Sequence, residues 1–548
     1  MIRSGVGPRP LIGRISIANL VVAQILGGVA GAIALVCGLD VLPALGVAVV
    51  VALIGLVRIA KHSLLDWITT GWRYLADREY DLGQTVDYRS PSGRSLGLYW
   101  EQSRVVAVVE VLPPRGGLTK ITREAFDSSH RLPMVELAQC LTQHDIKLSG
   151  IDIISHGYRT RAGTPAGGVY EQLIGPLPAT AVRTVWIAIS LDAETSEDAV
   201  ARRGGETEGA SRAVTVATQR IVRALDDAGC RSRILTAPEI REAVLQVTGG
   251  ADPTALTQGW RRADVGENVS IGSAIDPNSL GSALLAKLWV APSRGTTVAV
   301  RLRPGTSADS VGIGAAWRLA SHTMPDRNRM SGMVSMNGRH RDAVLAHLPI
   351  AVGDLEDDIP IREFPIVDID RLHLPSSGCG QLIGSDEQDQ GIATRIVGSG
   401  ISSVYIAGEL YLAQQIVFRA LAVGAKVLIR TDRPHAWENL VSSIALPERL
   451  YLAGDQHYSD AGYNAIVVDG VIAPPPHAGV TTIYLTNDPS SWPDARPDVS
   501  IHQPNGVGNY VVLKTGAATV NLTVVSIPRE SAFIGQPRGS RSYEPQNA

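Results

Sequence analysis

Cysteine is scarce in this chain and nowhere paired: Cys37, Cys140, Cys230 and Cys379 are its four examples, scattered through 548 residues. That spacing excludes a disulfide-built scaffold and any Cys-x-x-Cys metal or redox motif, and points to a reduced compartment. Other chemical signatures are missing too. No Gly-x-x-x-x-Gly-Lys-Ser/Thr loop is present to cradle a phosphate, so the chain carries no recognisable motor of its own. No His-Glu-x-x-His occurs, which removes the zinc-peptidase helix. A net charge of −3 provides no polycation, so nucleic acid is not an expected partner. No internal repeat is evident.

Charge is withheld most completely near the N-terminus. Ile15–Leu39 and Val41–Val57 contain no charged residue, and Asp40 alone separates them. A spanning helix needs roughly 17–25 mostly apolar residues. The runs therefore predict transmembrane helices at 15–39 and 41–60, joined by a tight turn at Cys37-Gly38-Leu39-Asp40. Arg3, Arg9 and Arg14 precede the pair, while Arg58, Lys61, Arg73 and Arg78 follow it. By the positive-inside rule both termini and the body face the cytoplasm, making this a multi-pass protein of the inner (plasma) membrane.

A cleaved signal peptide is the competing reading. The first run exceeds a signal core of about 7–15 residues and has a second span behind it. Val36, rather than a small residue, precedes Cys37, which argues against lipid attachment there. Ala23, Gly27 and Gly31 form a small-residue stripe on the first span, and Ala44, Ala48 and Ala52 form one on the second. They are expected to pack on each other rather than form a dimer surface. Asn19 and Gln24 are candidates for hydrogen bonds between helices, with Asn19 alternatively interfacial.

With 45% hydrophobic residues, the remainder reads as ordered domains of α/β (mixed α+β) class: a cytosolic body behind an N-terminal two-helix transmembrane hairpin. After a cytosolic N-terminus at 1–14 and the two spans, a juxtamembrane neck covers 61–93. There Trp67, Trp72 and Tyr74 sit among basic residues and the second span is expected to continue as helix. A first α/β region occupies 94–358, bounded by acidic Asp354–Asp358. It is expected to hold strands within Leu96–Val111 and at Ile151–Ser155, Thr184–Leu191, Lys287–Val290 and Thr297–Leu302, and helices at Met134–Leu148, Glu206–Ala228, Pro238–Val247 and Ser310–Ser321. A second α/β domain occupies 359–527, where Val404–Ala407, Leu410–Val423 and Lys426–Arg430 read as a strand–helix–strand crossover. The tail, 528–548, is rich in Ser, Arg, Pro and Gln and reads as disordered.

Four clusters invite a chemical reading. Gly378–Gly384 has the glycine to bend around a phosphate, and a degenerate nucleotide-binding role is one alternative, but its spacing misses the dinucleotide fingerprint and a plain turn is preferred. Cys140 and His144 are four apart, near His156 in sequence, yet no fourth metal ligand follows. Arg212, Arg220 and Arg223 make a basic helix face that reads as solvated. Asp368-Ile369-Asp370 follows an apolar run, and two carboxylates beyond a strand can hold a divalent cation against a diphosphate. That motif resembles the Asp-x-Asp of many glycosyltransferases and defines the alternative function, a membrane-tethered metal-dependent nucleotide-sugar transferase. Arg371 beside it favours a structural role instead. No catalytic, cofactor-binding or metal-binding residue is assigned.

The hairpin, Leu173-Ile174-Gly175-Pro176-Leu177-Pro178, Val185-Trp186, and Arg202-Arg203-Gly204-Gly205 leading into Gly209-Ala210-Ser211-Arg212 together resemble the EccE family, as do Ser155-His156-Gly157 and Gly408–Arg433. That family is a membrane component of the actinobacterial type VII (ESX) secretion system. The resemblance covers most of the chain and rests on the order of the motifs, none of which is catalytic. It implies a non-enzymatic structural subunit of an inner-membrane export complex, with EccB, EccC and EccD as partners and EccC as the ATPase. A motor on another chain is consistent with the missing phosphate loop here.

Overall fold

The computed structural model describes the chain apart from residues 1–10, 13–14, 60–61, 77–80, 91–92, 94, 129, 326–329, 353–358, 454–461 and 537–548. Its first helices are α1 (Ile17–Val36) and α2 (Val41–Leu56), ending before the expected 39 and 60. Gly38 makes the turn between them in the left-handed region, at φ +89°. The small-residue stripes do face each other. A methyl group on Gly27 would stand 2.5 Å from the Ala48 carbonyl oxygen, and one on Gly31 would stand 3.0 Å from the Ala48 Cβ. Only glycine permits that approach. Gln24 lies on the outside of the pair, so it makes no bond across it, and the side chain of Asn19 is outside the described residues.

Among the described residues no helix is long and apolar enough to cross a membrane. The 16 residues of α2 rise about 24 Å and the described side chains of α1, Leu20–Val36, about 26 Å, against roughly 30 Å of hydrocarbon. The second helix also does not run on into the neck. It stops at Leu56, and a separate helix, α3 (Leu64–Leu75), begins after Ser63. Ser63 accepts the Asp66 amide at 3.2 Å while Asp66 accepts the Ser63 amide at 2.9 Å, a reciprocal cap that fixes the new start. Arg3, Arg9, Arg14, Lys61 and Arg78 lie outside the described residues, as do the side chains of Arg58 and Arg73.

The body is built on two large sheets. In the first, which is antiparallel, Gly150–Tyr158 lies between Val182–Asp192 and Gly295–Pro304, and Arg104–Val111 and Ser310–Ser321 flank these. Alternate residues face opposite sides. Ile151, Ile153, Ile187, Ile189 and Val300 enter a core under the helix Glu206–Asp227, while Ile154, Trp186, Ala188 and Ala299 enter another with Ala237–Thr248. Both faces are therefore apolar.

That double burial explains the misread segment Ser310–Ser321. It was expected to be a helix and is a 12-residue strand, because a stretch apolar on both faces has no polar alternation to reveal its period. Lys287–Val290, expected as a strand, instead completes the helix Ser282–Lys287 and its following turn. The Met134–Leu148 helix stops at Gln139, and Thr142–Gln143 then pairs with Ile146–Lys147 in a small hairpin turned through His144 at φ +54°. Arg203 draws Asp145 out of that turn in a two-pronged contact at 2.8 and 3.0 Å.

The second sheet begins with six parallel strands in the order Leu450–Ala453, Val427–Thr431, Ala465–Asp469, Thr481–Thr486, Ser403–Ala407 and Val499–His502. It continues antiparallel through Tyr510–Thr515 and Thr519–Val524 to Gln381–Ser385, Gly391–Thr394, Leu118–Ile121 and Phe126–Ser128. The expected crossover helix is Leu410–Ala422, buried from Leu412 to its end. The division does not follow the chain at 358. Leu118–Ile121 and Phe126–Ser128 belong to the second sheet, whereas Ile361–Pro365 pairs with Ser310–Gly314 of the first. Asp354–Asp358, the expected boundary, lies outside the described residues.

The tail expected to be disordered from 528 begins with a helix, Pro528–Ile534. Its Glu530 is buried and meets Arg419 of the crossover helix, with Nε 2.8 Å from Oε1 and Nη2 3.0 Å from Oε2. Arg419 Nη1 also donates to the carbonyls of Leu382 and Ile383, both at 2.9 Å, and Gln415 donates to Glu530 at 2.9 Å. Composition alone missed this because the segment's partners are distant in sequence: Arg419 holds Glu530, Phe533 lies 5.1 Å from Phe418, and Ile534 enters the second core. Glu530→Ala is expected to strand a buried guanidinium and cost about 3–5 kcal/mol. The check is the urea midpoint of the full chain in detergent. An unchanged midpoint would show that the pair does not hold the C-terminal helix.

Candidate functional surface

The neck joins hairpin to body through aromatic packing. Trp67 and Tyr74, on one side of α3, lie 6.0 and 5.3 Å from Trp260 of the first sheet's periphery, the Tyr74 contact being edge-on. Gly338 closes the seat. A Cβ there would stand 2.7 Å from the Trp260 ring and 2.8 Å from the Thr70 methyl. Trp72 is on another side of the helix and is 76% exposed. The sequence drew Trp67, Trp72 and Tyr74 together as one aromatic group, and helical geometry divides them.

The residues singled out for chemistry are not assembled. Asp368 lies in the 3-10 turn Ile366–Arg371, paired with Arg371 at 3.2 Å, and Asp370 is exposed beside buried Ile369. Among the described residues, no three His, Cys, Asp or Glu side chains gather in a metal-holding group. Cys140 caps the Met134–Gln139 helix, and His144 turns the hairpin beyond it. Both line a shallow open cleft with Glu136 and Arg220. His156 is elsewhere, buried in the central strand.

Gly378–Gly384 is a packing device. Cβ atoms at Gly378 and Gly380 would collide with the Ala181 and Thr394 carbonyl oxygens, at 2.4 and 2.2 Å. Cys379 between them is buried, and that burial pushes its thiol up to about 12. On the helix Glu206–Asp227, Arg212 and Arg223 are exposed and Arg212 pairs with Glu208 at 2.7 Å, as a solvated face requires.

Three polar clusters escaped sequence reasoning. Asp469 ends a parallel strand, on the carboxyl edge where open α/β sheets commonly place ligands. Here Arg433 grips it at 2.7–3.1 Å, while Thr431 and the buried Trp437 donate at 2.8 and 2.9 Å. Burial acts to raise the carboxyl, but these donors outweigh it and hold it below its ordinary value. In the first sheet, Asp152 is buried between Arg303, at 2.5 Å, and Arg301, at 3.5 Å. Next to these, Arg318, His156 and His347 share a buried region. His156 bonds Thr297 through Nδ1 at 2.9 Å, and His347 Nδ1 donates to the Ala343 carbonyl at 2.5 Å. Burial first, then the positive charge of Arg318, pushes both histidines down to about 3. In all three the partners come from segments far apart in sequence, so no local motif announces them.

The glycines of the quoted sequence motifs are also structural. Gly204 and Gly205 take positive φ before the long helix, and a Cβ at Gly209 would stand 2.2 Å from the Val200 carbonyl oxygen. A Cβ at Gly157 would stand 1.9 Å from that of Val182. Trp186 stacks on His156 with centroids 6.4 Å apart.

Residues 179–275 match the family described as "Putative type VII ESX secretion system translocon, EccE". This segment supplies the strand Val182–Asp192, the long helix beneath it, and Trp260 on which the neck rests. The chain is 28% identical over 351 residues to ESX-5 secretion system protein EccE5 of Mycobacterium tuberculosis (strain ATCC 25618 / H37Rv), covering 60% of this chain and 84% of the relative. It is 26% identical over 348 residues to EccE5 of Mycobacterium marinum, with the same two shares. A longer stretch of 460 residues is 23% identical to ESX-2 secretion system protein EccE2 of M. tuberculosis (strain CDC 1551 / Oshkosh), covering 78% of this chain and 80% of the relative.

The two buried histidines predict a pH dependence. Their folded values near 3 lie below the roughly 6.5 of an unfolded chain, so between those limits the unfolded state binds more protons. Stability is expected to be complete above about pH 6.5 and to fall on acidification, by up to about 1.4 kcal/mol per pH unit for each histidine. Urea midpoints at neutral and mildly acid pH measure it, and His347→Gln should flatten the slope. A midpoint rising toward acid would contradict the assignment.

Proposed function

We propose that this chain, which belongs to the EccE family, is a non-enzymatic structural subunit of a type VII secretion complex whose N-terminal hairpin is seated in the inner membrane. One observation carries the reading: α1 and α2 bury small residues between them and present aliphatic side chains outward. Val36 is 88% and Leu42 82% exposed, and Ile25, Val29, Leu45 and Leu53 share that exterior. Water penalises such a surface, whereas lipid accepts it and leaves close packing to hold the helices together. Helices of this length are accommodated by local thinning of the bilayer at modest cost.

The flanking basic residues support an orientation with both termini and the body on the cytoplasmic side. The body then offers broad faces to neighbouring subunits, with EccB, EccC and EccD as the proposed partners. The transferase alternative finds no support in the geometry, since Asp368 is paired with Arg371 and Asp370 stands exposed beside it.

Purification of the tagged full chain from native membranes in mild detergent is the test. Co-migration with other secretion-complex components is expected. A chain that migrates alone, or one that does not float with lipid vesicles, would sink the proposal.

A further inference from the structure

We propose that α3 is an in-plane membrane-surface helix: it lies along the headgroup boundary and seats the cytoplasmic body on the bilayer. The inference rests on the hairpin being in lipid, and adds to it a second contact of different geometry.

Three observations lead there. The chain breaks between Leu56 and Ser63 and restarts under a reciprocal cap, so α3 is a separate helix with its own direction. Ile68, Trp72 and Leu75 fall at i, i+4 and i+7, hence on one face, and are 60%, 76% and 80% exposed. Among the described residues, Trp72 is the only exposed tryptophan. On other sides, Trp67, Thr70 and Tyr74 pack toward Trp260 and Gly338, and Leu65 is buried with its side chain 3.5 Å from where a Gly55 Cβ would stand. Among the described residues, this one apolar face is left without cover.

Continuity identifies its occupant. The Leu64 amide donates to the Val57 carbonyl at 2.9 Å, so the start of α3 is tied to the end of α2. The outward aliphatic surface of Leu53, Ile54 and Val57 is therefore followed directly by Ile68, Trp72 and Leu75. A surface proposed to meet lipid on the hairpin runs into one with an indole at its centre, the amphipathic side chain best suited to the headgroup zone. The clamp on Trp260 then fixes the body's distance from the membrane through rigid aromatic contacts instead of a free linker.

The experiment reconstitutes the full chain in phospholipid vesicles whose acyl chains carry bromine near the headgroup or near the bilayer centre. Bromine quenches nearby tryptophan. Shallow bromine is expected to quench more than deep bromine, and Trp72→Phe should lower the shallow quenching at least twofold. Ile68→Asn with Leu75→Asn, which keeps the reporter, should lower it as well. Flotation of the same samples separates the failures. If the chain does not float, the hairpin reading and this inference fall together. If it floats and Trp72→Phe leaves the quenching unchanged, only this inference is overturned, and the face belongs to a protein partner or a second copy.

Discussion

Strands that are apolar on both faces have to be covered on both faces, and most of this architecture follows from meeting that requirement. Gly150–Tyr158 and its neighbours send alternate side chains into two separate cores, so neither face tolerates water. The first sheet has helices on each side. The parallel half of the second sheet takes cover from Leu410–Ala422, which is in turn covered by Pro165–Ile174 from the other region and by Pro528–Ile534 from the far end of the chain. Sequential domains do not result. Segments are lent across, and the two sheets become mutually dependent.

Buried charge marks the same dependence. Arg419 and Glu530 join the crossover helix to the C-terminal helix, and Arg433 and Asp469 join successive strand ends. Arg183 of the first sheet lies over Trp289, 4.2 Å from the ring centre, with Phe126 of the second sheet 5.2 Å away. Such groups contribute less to net stability than their number suggests, because desolvation offsets most of the attraction. Their consequence is specificity of arrangement, since a misplaced helix or strand leaves a charge unmatched in an apolar surrounding. For a subunit whose proposed task is to hold other chains in place, rigidity of this kind has an evident use.

The N-terminal end follows a different rule. Close backbone approach through Gly27 and Gly31 replaces side-chain interdigitation, and the chain then changes direction at Ser63 to bring aromatic residues onto Trp260. Trp260 falls in the segment matched by the EccE family, so the shared part of the body is also the part on which the neck rests. Hairpin, neck and body form one mechanical path.

Much of this was legible in the residues themselves. Periodic apolar positions placed Glu206–Asp227 to within a residue, because a helix with a distinct inner face writes a 3.6-residue pattern, and the strand–helix–strand spacing placed Leu410–Ala422 as closely. The small-residue stripes at Gly27 and Ala48 announced their contact, and the absent phosphate loop and metal motifs narrowed the chemistry. The surroundings of single residues were not legible. Ser310–Ser321 carries no period because both faces are buried, and Pro528–Ile534 is ordered by partners more than a hundred residues away, Arg419 on Glu530 and Phe418 on Phe533. Local sequence determines what repeats along one element. Only tertiary structure decides which distant group meets a buried charge or which side of a helix is left bare, because those depend on what the rest of the chain brings to the contact.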